Sequence, residues 1–137
     1  TFWIYFRQQW ENIKWANANY QKHNLYFIHG DARTNLSSKK FDVIVLSNVL
    51  EHIEERIKFL QSLRTLAPRF LFRVPSIQRE WSVLYKKELG LDYRLDKTHF
   101  IEYTEAEFKS ELQSAGLRIE EFKSCFGEFW ATAGLQK

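Results

Sequence analysis

Three short segments that each follow an apolar run could do chemistry. They are Arg7-Gln8, Gly30-Asp31-Ala32 and Ser47-Asn48-Val49-Leu50-Glu51-His52. A glycine lets the backbone approach a ligand closely, and an aspartate can accept hydrogen bonds from an amine. Asn48 and the neighbouring backbone could hold a polar ligand group. An imidazole such as that of His52 changes charge near neutral pH, which suits a general base.

Each segment also has a plain structural interpretation, which the residues alone leave open. The pair Gly30-Asp31 is typical of a turn, and Ser47 or Asn48 could cap the N-terminus of a following helix. A single histidine such as His52, in the first turn of a helix, is more often a surface or half-buried residue than a catalyst. The choice depends on where the surrounding elements place these segments.

The surrounding sequence alternates between strand patterns and helix patterns. Residues 41–47 contain four consecutive aliphatic residues, which fit a strand that is buried on both faces. Thr104 and Glu107 form a capping box that opens a helix, and Gly116 stops it. The predicted strands are 2–6, 25–29, 41–47, 69–74, 117–123 and 126–133, and the predicted helices are 11–22, 51–66, 78–89 and the one that begins at Thr104.

This alternation predicts an α/β fold in a single domain over residues 1–137. We expect a mostly parallel sheet with helices on both faces and an antiparallel hairpin at the C-terminal edge. Ligands of such sheets bind outside the carboxyl ends of the strands. Asp31 and the Ser47–His52 segment are therefore expected to converge on one rim of the sheet.

The composition excludes several classes of protein. The chain has 137 residues, one cysteine and a net charge of +3, from 20 Lys and Arg against 17 Asp and Glu. One cysteine rules out an internal disulfide framework and a multi-cysteine metal site, and no metal is expected. No apolar run reaches the roughly 18 residues of a membrane span, and Thr1–Trp10 makes a poor signal peptide. We expect a cytoplasmic protein that binds neither membrane nor nucleic acid.

The segment Phe41–Ile53 closely resembles the fourth strand and following helix of class I S-adenosylmethionine-dependent methyltransferases. Gly30-Asp31-Ala32 resembles the turn after the third strand of that family, which contacts the adenine. Other similarities follow in the family's order along nearly the whole chain: Glu11-Asn12-Ile13 with Ala16, His99, Tyr103-Thr104, Phe108 and Ala115-Gly116-Leu117. The ordered set is more specific than any one motif.

The resemblance implies a Rossmann-like fold and S-adenosylmethionine as the cofactor. Asp31 would accept the adenine amine, and Ala32 would offer its backbone to the ring. The residues that would lie along the methionyl part are Ser47, Asn48 and Val49. The cofactor's methyl group is electrophilic, so the protein has mainly to hold an acceptor in line with the carbon–sulfur bond.

The resemblance also indicates where the acceptor would bind. His52 and His99 are the candidates for removing a proton from a hydroxyl or amine acceptor. His99 lies in the irregular stretch 91–103, the region in which the family often builds its acceptor pocket. The aromatic residues that could line this pocket, or belong to the core instead, are Trp81, Tyr85, Tyr93 and Tyr103.

The chain departs from the family near its start. The family's first strand and Gly-rich turn should precede residue 1, and the five glycines of the chain include no G-x-G pair. The family places an acid at the end of its second strand, but the matching position is near Arg7, which has no acceptor atoms. Since the family's strand order is 3-2-1-4-5-7-6, we expect a truncated fold without its central first strand.

Three functions follow as hypotheses. The first is a methyltransferase, either a fragment or a truncated homologue, that acts on a small-molecule acceptor. The second is a non-catalytic binding module of the same fold, which could self-associate through an unpaired strand edge. The third, an RNA-binding domain, is suggested only by the pI near 9.0 and the aromatic content, and no RNA-recognition motif is present.

Overall fold

The computed structural model describes residues 3–7, 10–30 and 39–136. Asp31 and Ala32, two of the predicted cofactor contacts, lie outside the described residues. The chain divides into two compact units, Thr1–Lys39 and Lys40–Lys137. The single domain over residues 1–137 stays a prediction.

The first unit has a strand–helix–strand arrangement. Strand β1 (Trp3–Arg7) is followed by helix α1 (Trp10–Asn19) and strand β2 (Leu25–His29). The two strands pair in parallel, with Trp3 opposite Leu25 and Arg7 opposite His29. Parallel pairing requires a crossover connection, which α1 provides. Because β1 ends at Arg7, the residue at its carboxyl end is a cation, as the sequence predicted, and not an acid.

The second unit contains a four-stranded mixed sheet. Its strands are β3 (Val43–Ser47), β4 (Arg69–Pro75), β5 (Leu117–Cys125) and β6 (Glu128–Leu135), in the order β3-β4-β6-β5. Strands β3 and β4 are parallel, whereas β6 runs antiparallel to both β4 and β5. The hairpin between β5 and β6 turns through Phe126 and Gly127, whose φ angles of 54° and 70° suit a tight hairpin turn.

This topology confirms the predicted α/β, Rossmann-like fold. In family numbering, the pair β1-β2 corresponds to strands 2 and 3, and the order β3-β4-β6-β5 corresponds to 4-5-7-6. The C-terminal antiparallel hairpin is also confirmed. Among the described residues, the two sheets contain no strand equivalent to the family's first.

Three helices belong to the second unit: α2 (Arg56–Leu63), α3 (Trp81–Glu88) and α4 (Glu105–Ser114). The core lies where α4 meets one face of the sheet. Phe108 of α4 contacts Phe72 of β4 and Phe129 of β6, with ring centroids 6.0 Å and 6.3 Å away. Helix α2 adds the buried residues Phe59, Leu60 and Leu63. Arg56 of α2 donates to Glu111 of α4 at 2.8 Å, which joins the two helices.

Two predictions about β3 and the segment after it are wrong. Strand β3 is not buried on both faces, since Val43 is 46% exposed and Val45 is 48% exposed. Their exposure alternates with the burial of Leu46, so one face of β3 is covered and the other is open among the described residues. The helix predicted over 51–66 is interrupted as well. A 3-10 turn over Leu50–His52 comes first, and the extended conformation of Ile53 separates it from α2.

None of the helices in the described ranges combines the length and the apolar character that crossing a bilayer would require.

Candidate functional site

The carboxyl end of β3 leads into a strained turn that presents polar groups. Ser47 is the last residue of β3, opposite Arg73 of β4, and the Asn48 N–H donates to the Arg73 carbonyl at 2.9 Å. Asn48 has a φ of 52°, a left-handed conformation that asparagine tolerates better than most residues. Ser47 and Asn48 are exposed, and Val49 is half-buried. These three predicted cofactor contacts therefore form one continuous rim.

Neither Ser47 nor Asn48 is a helix cap. The N-cap position of the following 3-10 turn is Val49, and no side chain caps that turn. The interpretation of the two polar residues as helix caps is therefore wrong, because neither side chain caps the turn. Leu50 is fully buried and anchors the turn in the core, which positions the next two residues, Glu51 and His52.

A backbone hydrogen bond brings the irregular stretch 91–103 back to this turn. The Phe100 N–H donates to the Glu51 carbonyl at 2.7 Å. Beside it, the Thr98 hydroxyl lies 2.9 Å from Nδ1 of His52 and donates to Asp96 Oδ1 at 2.8 Å. The structure thus brings His52 and His99 together, with ring centroids 4.7 Å apart and ring planes at 74°.

The two imidazoles differ in their surroundings. His52 is exposed, whereas the side chain of His99 is only 11% exposed. Nδ1 of His99 lies 2.7 Å from Oε1 of Glu102, which is fully buried and also accepts from the Leu95 N–H at 2.9 Å. An ionised carboxylate can only accept, so His99 Nδ1 is the donor and its Nε2 carries the free lone pair. Glu102 thereby fixes the orientation of the His99 ring.

Glu51 is a buried carboxylate in the same cluster. It is 1% exposed, and its Oε2 has no hydrogen-bond partner among the described residues. Burial raises the pKa of Glu51, while a hydrogen bond from its own backbone and the nearby charge of His52 act in the opposite direction. Glu51, His52 and His99 each offer a ligand atom, and these atoms lie within 4.8 Å of one another, so the three could hold a metal ion.

Sequence reasoning identified the two histidines but missed the acids. Glu51 stands next to His52 in the sequence, and that adjacency was the available signal for it. Glu102 lies three residues after His99, but without a helix this spacing has no fixed meaning. Its role depends on the path of the chain from Leu95 to Glu102, which only the folded structure shows.

The aromatic residues that were predicted to line a pocket differ in their exposure. Trp81 and Tyr85 on α3 are exposed by 76% and 56%, and their rings contact each other. Tyr93 is half-buried. Tyr103 is fully buried, packs against Phe108 and donates its hydroxyl to Glu111, so it belongs to the core. Burial and the carboxylate of Glu111 together raise the pKa of Tyr103.

The strand end that precedes the predicted adenine contacts belongs to the first unit. Gly30 directly follows β2 and has a φ of 149°, a conformation that favours glycine. The residues after it, Asp31 and Ala32, lie outside the described ranges, so their predicted contact with adenine stays a prediction. Of the predicted cofactor contacts, the structure describes Ser47, Asn48 and Val49. Exposed polar groups on a left-handed turn at a strand's carboxyl end fit a polar ligand such as S-adenosylmethionine.

Several solved structures of methyltransferases have a similar fold. An S-adenosylmethionine-dependent methyltransferase from Clostridium acetobutylicum matches with a TM-score of 0.72 and 13% identity, over 100% of this chain and 76% of the other. The mitomycin 7-O-methyltransferase matches with a TM-score of 0.72 and 18% identity, over 96% of this chain and 41% of the other. The magnesium protoporphyrin IX methyltransferase of Synechocystis, solved with bound S-adenosylhomocysteine, has a TM-score of 0.61 and 17% identity, over 92% and 57%.

These structural matches establish the fold, and the sequence establishes the family. No curated protein matches this chain. A sequence model described as a methyltransferase domain matches residues 2–121, which is most of the chain. The match covers residues of both units, among them the Ser47–His52 segment and the His99–Glu102 pair. The chain therefore belongs to the methyltransferase domain family.

Proposed function

We propose that this chain binds S-adenosylmethionine and promotes methyl transfer to a small-molecule acceptor with a hydroxyl or amine group. The observation that carries the proposal is the pairing of His52 and His99 just beyond the Ser47–Val49 rim, in a chain whose sequence matches a methyltransferase domain over residues 2–121. The cofactor, when bound, supplies an electrophilic methyl group on a sulfonium.

The rim residues would hold the cofactor. Ser47 and Asn48 offer a hydroxyl and an amide at an exposed turn, and these can bind the charged groups of the methionyl part. Asp31 is proposed as the acceptor for the adenine amine, and Ala32 as the backbone contact to the ring. The left-handed backbone of Asn48 supports this proposal, because such conformations concentrate at functional sites.

The two histidines would act on the acceptor. His52 is the exposed imidazole, so it can contact an acceptor that arrives from solvent. His99 is held by Glu102, which keeps Nε2 of His99 free and would stabilise the ring if it took up a proton. The bound cofactor would supply the methyl group by cleavage of its carbon–sulfur bond, and the proton that the acceptor oxygen or nitrogen gives up would pass to an imidazole.

Calorimetry of the full chain with S-adenosylhomocysteine tests cofactor binding. Replacing Ser47 with Ala removes one neutral hydrogen bond and should weaken binding roughly 3–10-fold. Asn48→Gly removes the amide without straining the turn and should have a similar effect. Asp31→Ala removes a charged acceptor and should weaken binding by at least about tenfold. Ser114→Ala, at the exposed end of α4, is the matched control and should bind like the wild type.

The same titration separates the methyltransferase from the non-catalytic module. If the chain is folded by circular dichroism and gives no heat at millimolar ligand, cofactor binding is excluded and the module is the better hypothesis. If the chain binds, His52→Gln should leave the affinity unchanged. The loss of a general base should then slow transfer of a labelled methyl group to small hydroxyl and amine compounds by roughly 10²–10⁴-fold.

A further inference from the structure

We propose that Glu51, His52 and His99 bind a divalent first-row transition-metal ion. Each side chain offers one ligand atom, and the three atoms lie within 4.8 Å of one another. Bonds of about 2.0–2.2 Å to a central cation require ligand atoms no more than about 4.4 Å apart, so the three side chains would move slightly closer together on binding. The inference goes beyond the proposed function, because the site is defined by these side chains whether or not a nucleoside binds.

The burial of Glu51 is an independent reason to expect a ligand. Its side chain is 1% exposed, and its Oε2 has no hydrogen-bond partner among the described residues. Leaving a carboxylate oxygen buried and unpaired is costly, so natural structures almost always satisfy such an atom. A cation at the centre of the cluster would satisfy it.

The neighbouring residues prepare both imidazoles for metal binding. Glu102 holds Nδ1 of His99 at 2.7 Å, and the Thr98 hydroxyl lies 2.9 Å from Nδ1 of His52. In each ring, therefore, Nε2 is the nitrogen left to bind a cation. A carboxylate that accepts from the far nitrogen of a ligand histidine is a recurrent arrangement, because it fixes the ring and strengthens the ligand.

The set of donors selects the class of metal. Two imidazoles and one carboxylate suit Zn²⁺, Co²⁺ or Mn²⁺, whereas Mg²⁺ prefers oxygen ligands and keeps its waters. Three protein ligands leave at least one coordination position for an oxygen from outside the chain. A cation bound here would occupy the lone pairs that make His52 and His99 bases. The loaded chain would then polarise an acceptor oxygen through the metal, and the metal-free chain would use an imidazole.

Metal titration of the chelator-treated chain tests the site. Calorimetry with Zn²⁺ and visible absorption with Co²⁺ should each show one equivalent bound by the folded chain, with much weaker binding of Mg²⁺. His52→Asn changes an exposed residue, so it should fold normally and bind Zn²⁺ at least about tenfold more weakly. Glu102→Gln should weaken binding roughly 10–100-fold by loosening His99.

Two controls match these variants. His23→Asn makes the same change at an exposed histidine of the first unit and should bind like the wild type. Cys125→Ser removes the one thiol, and Zn²⁺ binding should survive it. The proposal is overturned if the folded wild type binds neither metal, if His52→Asn binds as tightly as His23→Asn, or if binding disappears with Cys125. None of these outcomes depends on S-adenosylhomocysteine, so failure here and failure of cofactor binding can be told apart.

Discussion

The start of α4 and the turn after β3 show two ways of entering a helical segment. At α4, Thr104 and Glu107 form a complete capping box, in which the Glu107 N–H donates to the Thr104 hydroxyl and the Thr104 N–H donates to the Glu107 carboxylate. At Leu50–His52 no side chain caps the turn, and the carboxylate of Glu51 is buried with an unpaired oxygen.

The difference separates structural residues from functional ones. The polar groups that begin α4 have partners within the helix itself, so they stabilise it and leave nothing for a ligand. The turn after β3 is not a regular α-helix, and it leaves one oxygen of Glu51 without a hydrogen bond. It holds Glu51 and His52 beside His99. Strain and unpaired groups of this kind concentrate at functional sites. If this interpretation is correct, substitutions at α4 should lower stability, whereas substitutions in the turn should not.

The largest effect is expected at the centre of the α4 packing. Phe108 is fully buried among Phe72, Tyr103 and Phe129. Phe108→Ala should lower the free energy of unfolding by about 3–5 kcal/mol, because it removes a buried ring and leaves a cavity. Urea unfolding measures the loss. Phe126→Ala is the control, since Phe126 is 94% exposed, and an equal loss there would contradict the assignment of the core.

The end of α4 should show the next largest effect. Gly116 follows the C-cap with a φ of 76°, and a Cβ added to it would lie 2.6 Å from Nη1 of Arg64. Gly116→Ala should lower the free energy of unfolding by about 1–2 kcal/mol, from the left-handed conformation alone. Gly90 also has a left-handed backbone, with a φ of 70°, but a Cβ added to it would have no atom within 4 Å. Gly90→Ala should cost less, because no guanidinium has to move; the reverse order in urea unfolding would contradict this account.

The capping box itself should contribute a smaller amount. Thr104→Ala removes the hydroxyl that accepts from the Glu107 N–H at 3.2 Å, so the free energy of unfolding should fall by about 1 kcal/mol. Thr104→Ser keeps the acceptor and should stay close to the wild type in thermal and urea unfolding. If the two variants lose equal stability, the methyl group and not the cap is what matters at this position.

The sequence predicted α4 and the strands well because their signals are local. Thr104 and Glu107 lie at the start of α4, and Gly116 lies just after its end. Each of these residues acts on backbone groups that are close to it in the sequence. The hairpin was predicted from the short turn between the last two strands, and the order of strands from the resemblance to the family. Burial of β3 was predicted wrongly because a run of aliphatic residues does not reveal which neighbours cover each face, and Val43 and Val45 are exposed.

The candidate site was predictable only in part. His52 and His99 were identified separately, but their meeting depends on the hydrogen bond from Phe100 to Glu51, between residues distant in the sequence. The acids of the cluster acquire their character from burial, which no local pattern around Glu51 or Glu102 specifies. The residue types therefore suggested the chemistry, whereas the arrangement of the three candidate metal ligands could be seen only in the folded chain.

A paired buried carboxylate offers a further contrast with Glu51. Glu128 is 6% exposed and accepts two hydrogen bonds from Arg73, each 2.7 Å long. Glu128→Gln should lower the free energy of unfolding by about 0.5–1 kcal/mol, a range reduced for the partial exposure of Arg73. Glu120→Gln, at an exposed carboxylate 3.5 Å from Arg118, is the control and should cost less.

The loss from Glu128→Gln should depend on pH. Arg73 holds the pKa of Glu128 below its ordinary value. Since the folded pKa is the lower one, the stabilisation is complete above the unfolded pKa and is lost as the pH falls through the folded pKa. The difference between wild type and variant should therefore be full near neutral pH and shrink in acid. A difference that is constant down to the acid range would contradict the ion pair.

The smallest effect, with the opposite sign, should come from Glu51. In the metal-free chain, Glu51→Met replaces a buried carboxylate that has one unpaired oxygen with an apolar side chain of similar length. The free energy of unfolding should then rise by about 0.5–1 kcal/mol, because no buried oxygen is left unsatisfied. The same change at Glu107, Glu107→Met, removes a capping partner and should lower it by a similar amount. Urea unfolding in the presence of a chelator measures both. If Glu51→Met loses as much as Glu107→Met, then Glu51 is a structural residue, and the contrast between the two helix entries fails.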